Sequence, residues 1–293
     1  MRAPSTCPVC GAAISGEPLG CSAFSPKTGR RPGQVMSRLW PCPQCRLIFR
    51  DSDYSVGEAS QSLDTADYVM PEYEAMTLRS KAGLIDYLVR TLSRRFDVKS
   101  GQRRMIDFGC SYGHLGKAFQ AVGWDVVGVD RAPGILKYHR DHGSFPVYSD
   151  LDSPQVPDES VDLVAMIDVI YYPEKPLDVL KTACRKLRRP GMVIMRVPNR
   201  NRYLRLAARL QRLTGKDYLR RVEVDHKSYW EVRTVREAAR LAGFSRVRIL
   251  RREHGYWYPP TRKAFHWGTQ MLSHLTGGLV DFSTVFYAEL WKE

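Results

Sequence analysis

The sequence predicts an α/β protein: a doubly wound, mostly parallel sheet of seven strands, preceded by a small cysteine-bearing module. Three observations carry this. Met105 to Gly116 (M-I-D-F-G-C-S-Y-G-H-L-G) is an apolar run that ends in a glycine-punctuated turn and passes into a helical pattern. Strand and helix patterns then alternate to the carboxyl end, the order that builds parallel strands with helices on both faces. Four of the seven cysteines fall in two C-P-x-C pairs near the amino end. With 293 residues, 43% of them hydrophobic, the chain can bury an α/β core of about 200 residues beside a second small module.

Taken in order, the first strand ends near Asp107 and the second is Trp124 to Asp130 (W-D-V-V-G-V-D). Phe145 to Asp150 reads as a third, also ending in an acid. Val161 to Ile170 is an apolar run of the buried-strand type. From Pro176 to Leu187, Leu177, Leu180, Cys184 and Leu187 recur at helical spacing, and Arg188-Arg189-Pro190-Gly191 is expected to stop that helix. Met192 to Val197 is the fifth strand, ended by Pro198-Asn199. Val232 to Ala242 is an amphipathic helix with Gly243 as its stop. Arg246 to Leu250 and Thr284 to Trp291 complete the count.

Between Asp107 and Gly113 the loop reads D-x-G-x-x-x-G. Gly109 and Gly113 permit the tight strand-to-helix turn and remove Cβ atoms that would hold a ligand off the backbone, while the helix start offers unpaired N–H groups. Asp130 follows about 20 residues on, the spacing at which a carboxylate meets ribose hydroxyls. A dinucleotide site would want G-x-G-x-x-G, and two acids would sit badly beside its pyrophosphate. Asp107 and Asp130 suit instead a cationic sulfonium ligand with a free amino group and an unphosphorylated ribose.

At these residues the chain resembles the class I S-adenosylmethionine-dependent methyltransferases, whose usual loop is D-x-G-x-G-x-G; Ser111 stands at the middle glycine. The run L-R-R-P-G-M-V-I-M-R-V-P-N resembles that family's fourth helix, proline-glycine turn and fifth strand. The resemblance covers residues 80–293 and implies a Rossmann-like methyltransferase fold with S-adenosylmethionine as cofactor. It further implies that Asp130 binds the ribose, that Gly109 meets the methionine moiety through its backbone, and that Asp150 with Leu151 lines the adenine edge. Asp168 would lie near the ligand's amino end, and Asp107, Ser111, Gly113 and Arg131 complete the expected cofactor set. D-V-I-Y-Y-P-E, from Asp168 to Glu174, resembles the D-V-L-E-H-x-P-D loop of small-molecule methyltransferases, with Tyr171 and Tyr172 where that loop has Glu-His.

Cys7, Cys10, Cys42 and Cys45 have the spacing of two zinc knuckles. Tetrahedral Cys₄ coordination takes two thiolates from each of two tight turns, and such a closed site contributes stability rather than chemistry. The alternative is four reduced cysteines without metal. The interval of 31 residues between Cys10 and Cys42 is long, and Cys21 inside it is a substitute ligand. C-P-x-C-x-L-I-F-R-D resembles the zinc modules ahead of some bacterial methyltransferase domains, in sugar, polysaccharide and secondary-metabolite pathways and in one group of ribosomal RNA enzymes. The expected division is a zinc-ribbon-like module at 1–51, a polar linker or lid at 52–79 and the methyltransferase domain at 80–293. Tyr68, Tyr73 and Arg79 are candidates for closing over the cofactor, with surface aromatics on a first helix as the alternative.

No apolar run approaches the roughly 20 residues of a membrane span, and the amino end lacks a signal-peptide core, so a cytoplasmic location is expected. The net charge of +14 is uneven: from Arg200 to Arg221 there are eight basic residues and one acid, Asp217. On a helix, Arg202, Arg205, Arg209 and Arg212 form one stripe and Tyr203, Leu206, Leu210 and Leu213 an adjacent apolar one. Four readings of this insertion (about 200–224) stay open: a clamp for a phosphate-bearing substrate, an RNA contact, attachment to an anionic membrane, or a solvated face. A second insertion, about 254–280, carries His254 to Pro260 (H-G-Y-W-Y-P-P), Phe265, Trp267, Met271 and Leu272, fit to line an acceptor pocket, bury a dimer contact or complete the core.

Methyl transfer from a sulfonium needs in-line positioning, worth about 7–11 kcal/mol, and a base for a protic acceptor, worth roughly 10²–10⁴-fold. His226, in V-D-H-K-S-Y-W, is the candidate base, with Asp225 beside it to orient it or take the proton; a plain surface histidine is the alternative. The acceptor is expected to be a small molecule: a sugar, or a carrier-bound or phosphorylated metabolite. RNA is the competing acceptor, favoured by the basic charge but lacking an N-P-P-Y-type motif after the fourth strand. A catalytically silent methyltransferase-like binding protein is the third reading.

Overall fold

The computed structural model describes residues 5–24, 35–50, 71–96, 102–222, 226–251, 253, 255, 260–276 and 282–293. The linker at 52–68 with Tyr68, the candidate Asp225, and His254 with 256–259 lie outside them.

Seven strands form the main sheet: β4 (Arg104–Phe108), β5 (Asp125–Val129), β6 (Val147–Tyr148), β7 (Val161–Ile167), β8 (Leu187–Pro198), β10 (Arg246–Leu250) and β11 (Val285–Lys292). Their order is β10-β11-β8-β7-β4-β5-β6, all parallel except β11, which runs antiparallel to both neighbours. The chain winds outward from β4 through β5 to β6, then restarts on the other side of β4 with β7. That reversal is the switch point at which the carboxyl ends of a doubly wound sheet leave a crevice.

Alternation along the strands sorts two cores. On one face Met105, Val126, Leu163, Met192 and Ile194 meet Leu84, Leu88 and Leu92 of α1 (Pro71–Ser93) and Leu115 and Phe119 of α2 (His114–Gln120). On the other, Ile106, Val127, Val164, Val193 and Met195 meet α4 (Pro176–Lys186) and α7 (Val232–Ala242). Proline opens α3 (Pro133–His142) and α4, where its missing N–H costs nothing. A reciprocal bond between Glu231 and Thr234 starts α7, and Gly243 at φ 92° ends it. α1 runs through residues 79 and 80, so the linker and the catalytic segment share one helix.

The helix expected over Pro176 to Leu187 is α4, which ends at Lys186 with Leu187 as its cap, and Arg188-Arg189-Pro190-Gly191 lies in the start of β8. Pairing jumps from Val161↔Leu187 to Leu163↔Met192, so the four residues between bulge out of the ladder. A bulge places a proline where no ladder N–H is required.

The amino-terminal module is a second sheet, β1 (Gly20–Phe24), β2 (Val35–Pro41) and β3 (Ile48–Arg50), closed by a strand from far along the chain, β9 (Ser228–Tyr229). Its Cys7, Val9, Trp40, Leu47 and Phe49 belong to the same core as α4 and α7. Beyond β8 come α5 (Asn201–Thr214) and α6 (Leu219–Val222), and ahead of β11 comes α8 (Pro260–Leu275). On α5, Leu204, Ala207 and Ala208 face the core, packing with Leu39, Ile48, Leu219 and Tyr229, while Leu206, Leu210 and Leu213 of the apolar stripe face solvent. No described helix is long and apolar enough to cross a membrane.

Candidate active site

At the carboxyl end of β4, Gly109 (φ 76°), Ser111 (φ 48°) and Gly113 (φ 75°) turn the chain into α2. A Cβ on Gly109 would meet Val169 at 2.6 Å, and one on Gly113 would meet His139 and Phe145 at 2.8 Å, so both positions need glycine for space as well as for backbone. Asp107 is buried; its carboxylate accepts the Gly116 N–H at 3.2 Å, and burial pushes its pKa up to about 7. Asp130, past the end of β5, accepts from Ser111 N–H at 2.9 Å and Ala132 N–H at 3.0 Å. Burial raises its pKa too, against those bonds. His139 of α3 bonds the Ser111 carbonyl at 2.7 Å and closes the turn from outside.

The third strand-end acid differs. Asp150 is exposed and accepts the Asp152 N–H at 2.9 Å, capping its own turn, with Leu151 buried behind it and Arg131 exposed across the way. Asp168, at φ 59°, accepts from Arg196 Nη1 at 2.5 Å and lies 3.6 Å from Lys81 of α1. Arg196 is buried on β8 between Asp168 and Glu253, and Tyr287 donates to Glu253 at 2.6 Å. α1 approaches this network backbone to backbone: a Cβ on Gly83 would meet the Gly255 carbonyl at 2.5 Å.

Beyond Asp168 the loop brings the tyrosine pair to His226. The Tyr171 and His226 rings stack with centroids 3.7 Å apart, and Tyr172 stands edge-on at 5.7 Å. Tyr171 is buried and Tyr172 exposed. The Tyr171 carbonyl accepts from Lys227 and Ser228 N–H at 3.1 and 3.2 Å. Arg50, the last residue of β3, donates to the His226 carbonyl and to the Tyr229 hydroxyl, each at 2.8 Å. Burial, then Arg200 and Arg50, hold the His226 pKa well below the usual value, leaving a neutral imidazole at neutral pH.

Cys7, Cys10, Cys42 and Cys45 converge, with their sulfur atoms all within 4.8 Å of one another. Both knuckles turn alike: Gly11 N–H meets the Cys7 carbonyl and Arg46 N–H the Cys42 carbonyl, with φ 70° and 65° at the turning residues. A hydrogen bond from Cys45 lowers Cys7 to about 5; that bond and burial raise Cys45, and burial pushes Cys10 up to about 11. Four such thiols shed their protons together only around a cation, so the donor set is compatible with a zinc module. Cys21 is exposed on β1 and outside the cluster.

A family model described as a methyltransferase domain matches residues 79–249, more than half of the chain. The chain belongs to that family. Its fold is that of the class I S-adenosylmethionine-dependent methyltransferases. The ubiquinone biosynthesis O-methyltransferase of Cereibacter sphaeroides is 28% identical over 130 residues, covering 40% of this chain and 52% of that protein. The mitochondrial enzyme of the same name from Schizosaccharomyces pombe is 23% identical over 129 residues, covering 41% and 45%. This methyltransferase chain thus spans about half the length of the curated relatives it matches. A Haloferax volcanii methyltransferase solved with the Trm112 methyltransferase activator shares the fold at 19% identity and a TM-score of 0.51, over 74% of this chain and 92% of that one.

Sequence reading missed the Lys81, Arg196, Glu253 and Tyr287 network, Arg50 and His139. One signal was available: Arg196 interrupts the apolar run M-V-I-M-R-V, and a charge inside a buried strand demands a partner.

Proposed function

We propose that the chain transfers a methyl group from S-adenosylmethionine to a hydroxyl-bearing small molecule, with His226 as the base. The stack of a neutral, half-buried histidine on Tyr171, at the end of the sheet that also carries the Gly109–Gly113 turn, supports this reading most directly. The names of the O-methyltransferase relatives lend support to the choice of acceptor.

In this reading the cofactor supplies an electrophilic methyl carbon on sulfur. Gly109 and Ser111 bring backbone toward the methionine moiety, Asp130 holds the ribose, and Leu151 with Asp150 borders the adenine. Gly113 keeps the turn close, and Arg131 lies outside it. Asp107 and Asp168 face the amino end with negative charge. His226 takes the acceptor's proton on a ring nitrogen as the new bond forms, and the Arg50 bond to its carbonyl fixes where the ring stands. Tyr171 sets the ring plane; Tyr172, exposed, meets the acceptor.

The four cysteines hold a structural zinc ion, and residues 1–51 form the metal module beside a catalytic domain at 80–293, with 52–79 between them. Methyl-labelled S-adenosylmethionine incubated with the protein and extract of its source tests the acceptor. Label in acid-soluble compounds is expected. Label that is acid-insoluble and lost on nuclease treatment would move the assignment to RNA, and no label in either fraction would leave a binding protein.

A further inference from the structure

Two helices at one edge of the sheet turn apolar side chains outward. On α5 the exposed residues Leu206, Leu210 and Leu213 lie at i, i+4 and i+7, with Leu206 at 50% and Leu213 at 82% exposure. The exposed Arg202 and Arg209 stand beside them. α8 repeats the arrangement: Trp267 is 67% and Leu275 76% exposed, Phe265, Met271 and Leu272 are exposed as well, and His266 and Ser273 are the residues turned in. Neither helix contains an aspartate or glutamate.

The helices share an anchor. Tyr203 donates to the Phe282 carbonyl at 2.6 Å and the Arg202 guanidinium lies 5.7 Å from the Phe282 ring, while His266 of α8 bonds Thr284. Val285 pairs with Pro198, so α5 leaves and α8 arrives at the same edge of the sheet. That edge is the carboxyl end of the parallel strands, where the Gly109 turn and Tyr171 also lie.

Leucine, tryptophan and arginine together on two acid-free helices narrow the occupant. A second copy docking by the same face would set arginine against arginine. Single-stranded nucleic acid would use the arginines, Trp267 and Phe265 but gain nothing from the exposed leucines. An anionic bilayer takes both, phosphates meeting the guanidinium groups and the apolar side chains entering the acyl boundary. We propose that α5 and α8 form a docking surface for an anionic membrane. The protein lies on the bilayer rather than spanning it, and an acceptor carried in lipid would reach the catalytic edge without leaving the membrane.

Flotation of the full-length protein with vesicles tests this without reference to catalysis. Vesicles of phosphatidylcholine mixed with phosphatidylglycerol should carry the protein up, and vesicles of phosphatidylcholine alone should not. The triple variant Leu206→Ser, Leu210→Ser, Leu213→Ser should bind anionic vesicles at least roughly tenfold more weakly, with melting little changed because all three side chains already face solvent in part. Trp267→Ala and Arg209→Glu should each weaken binding, the latter most at low salt. Binding to neither vesicle, or equal binding by the triple variant, overturns the proposal. So does a dimer that the triple variant dissolves, or flotation that nuclease abolishes.

Discussion

Asp107 is the residue whose environment says most about the ligand. An unfolded aspartate has a pKa of about 4, and burial brings Asp107 to about 7 in the folded chain. A raised value means that its stabilising contribution is fully present below about pH 4 and is lost as the pH rises through about 7. Asp107→Asn keeps an oxygen for Gly116 N–H and removes the buried charge. Without cofactor, the variant should therefore melt above the parent at pH 8 and level with it below about pH 4; scanning calorimetry across that range checks the sign. Cofactor binding should move the other way, because a cationic ligand gains from the charge the variant lacks. His226 carries the opposite shift, so the acid limb of kcat/KM should fall below the ordinary histidine value of about 6.5, and His226→Gln should lower kcat by roughly 10²–10⁴-fold with cofactor affinity intact. At Gly113, alanine meets both a left-handed backbone and two rings, a cost of about 2–4 kcal/mol that should appear in the denaturation midpoint. Asp107, Gly109, Gly113 and Asp130 were legible because strand ends and glycines fix their positions along the chain. Asp150 looked equivalent by spacing, and like Asp130 it accepts the N–H two residues on, but it is exposed where Asp130 is half-buried.

Between elements, the pairing of β3 with β9 matters most. Ile48↔Tyr229 and Phe49↔Ser228 join the cysteine module to the segment that carries His226, and Arg50 adds two hydrogen bonds across the seam. Such bonds from a charged donor are worth about 1.5–3 kcal/mol each. Arg50→Met should lower the melting temperature and reduce kcat while leaving cofactor affinity near that of the parent, since the Gly109 turn lies on other strands. A loss of cofactor binding equal to the loss of turnover would remove Arg50 from this role. The α5 helix teaches the reverse lesson about patterns. Its sequence holds two apolar stripes, and helical periodicity alone favours the one with larger side chains. Packing chose Leu204, Ala207 and Ala208 because small residues let the helix approach Leu39, Ile48 and Tyr229 closely.

For the whole molecule, the amino-terminal module is packed into the core beside the main sheet rather than hung on as an appendage. Its residues share one core with α4 and α7, and Thr234 at the start of α7 donates to the Cys45 carbonyl at 2.9 Å. Removing metal from the four cysteines should therefore lower the melting temperature of the entire chain in one transition and cost turnover as β9 loosens. Metal analysis of the purified protein with a chelator titration measures both; a chelator-insensitive melt would contradict the zinc assignment. The sequence by itself determined the fold class, the succession of strands along the chain, the glycine turn after β4 and the cysteine pairs, because each depends on spacing within a few tens of residues. Only the tertiary structure decided that β9 completes the amino-terminal sheet, that Arg196 gathers Asp168 and Glu253, and that α5 turns leucine to solvent. Those outcomes depend on which surfaces meet after the chain has closed: Arg50 reaches a residue 176 positions away and Arg196 gathers partners 28 and 57 positions away on separate elements, and no periodicity links them.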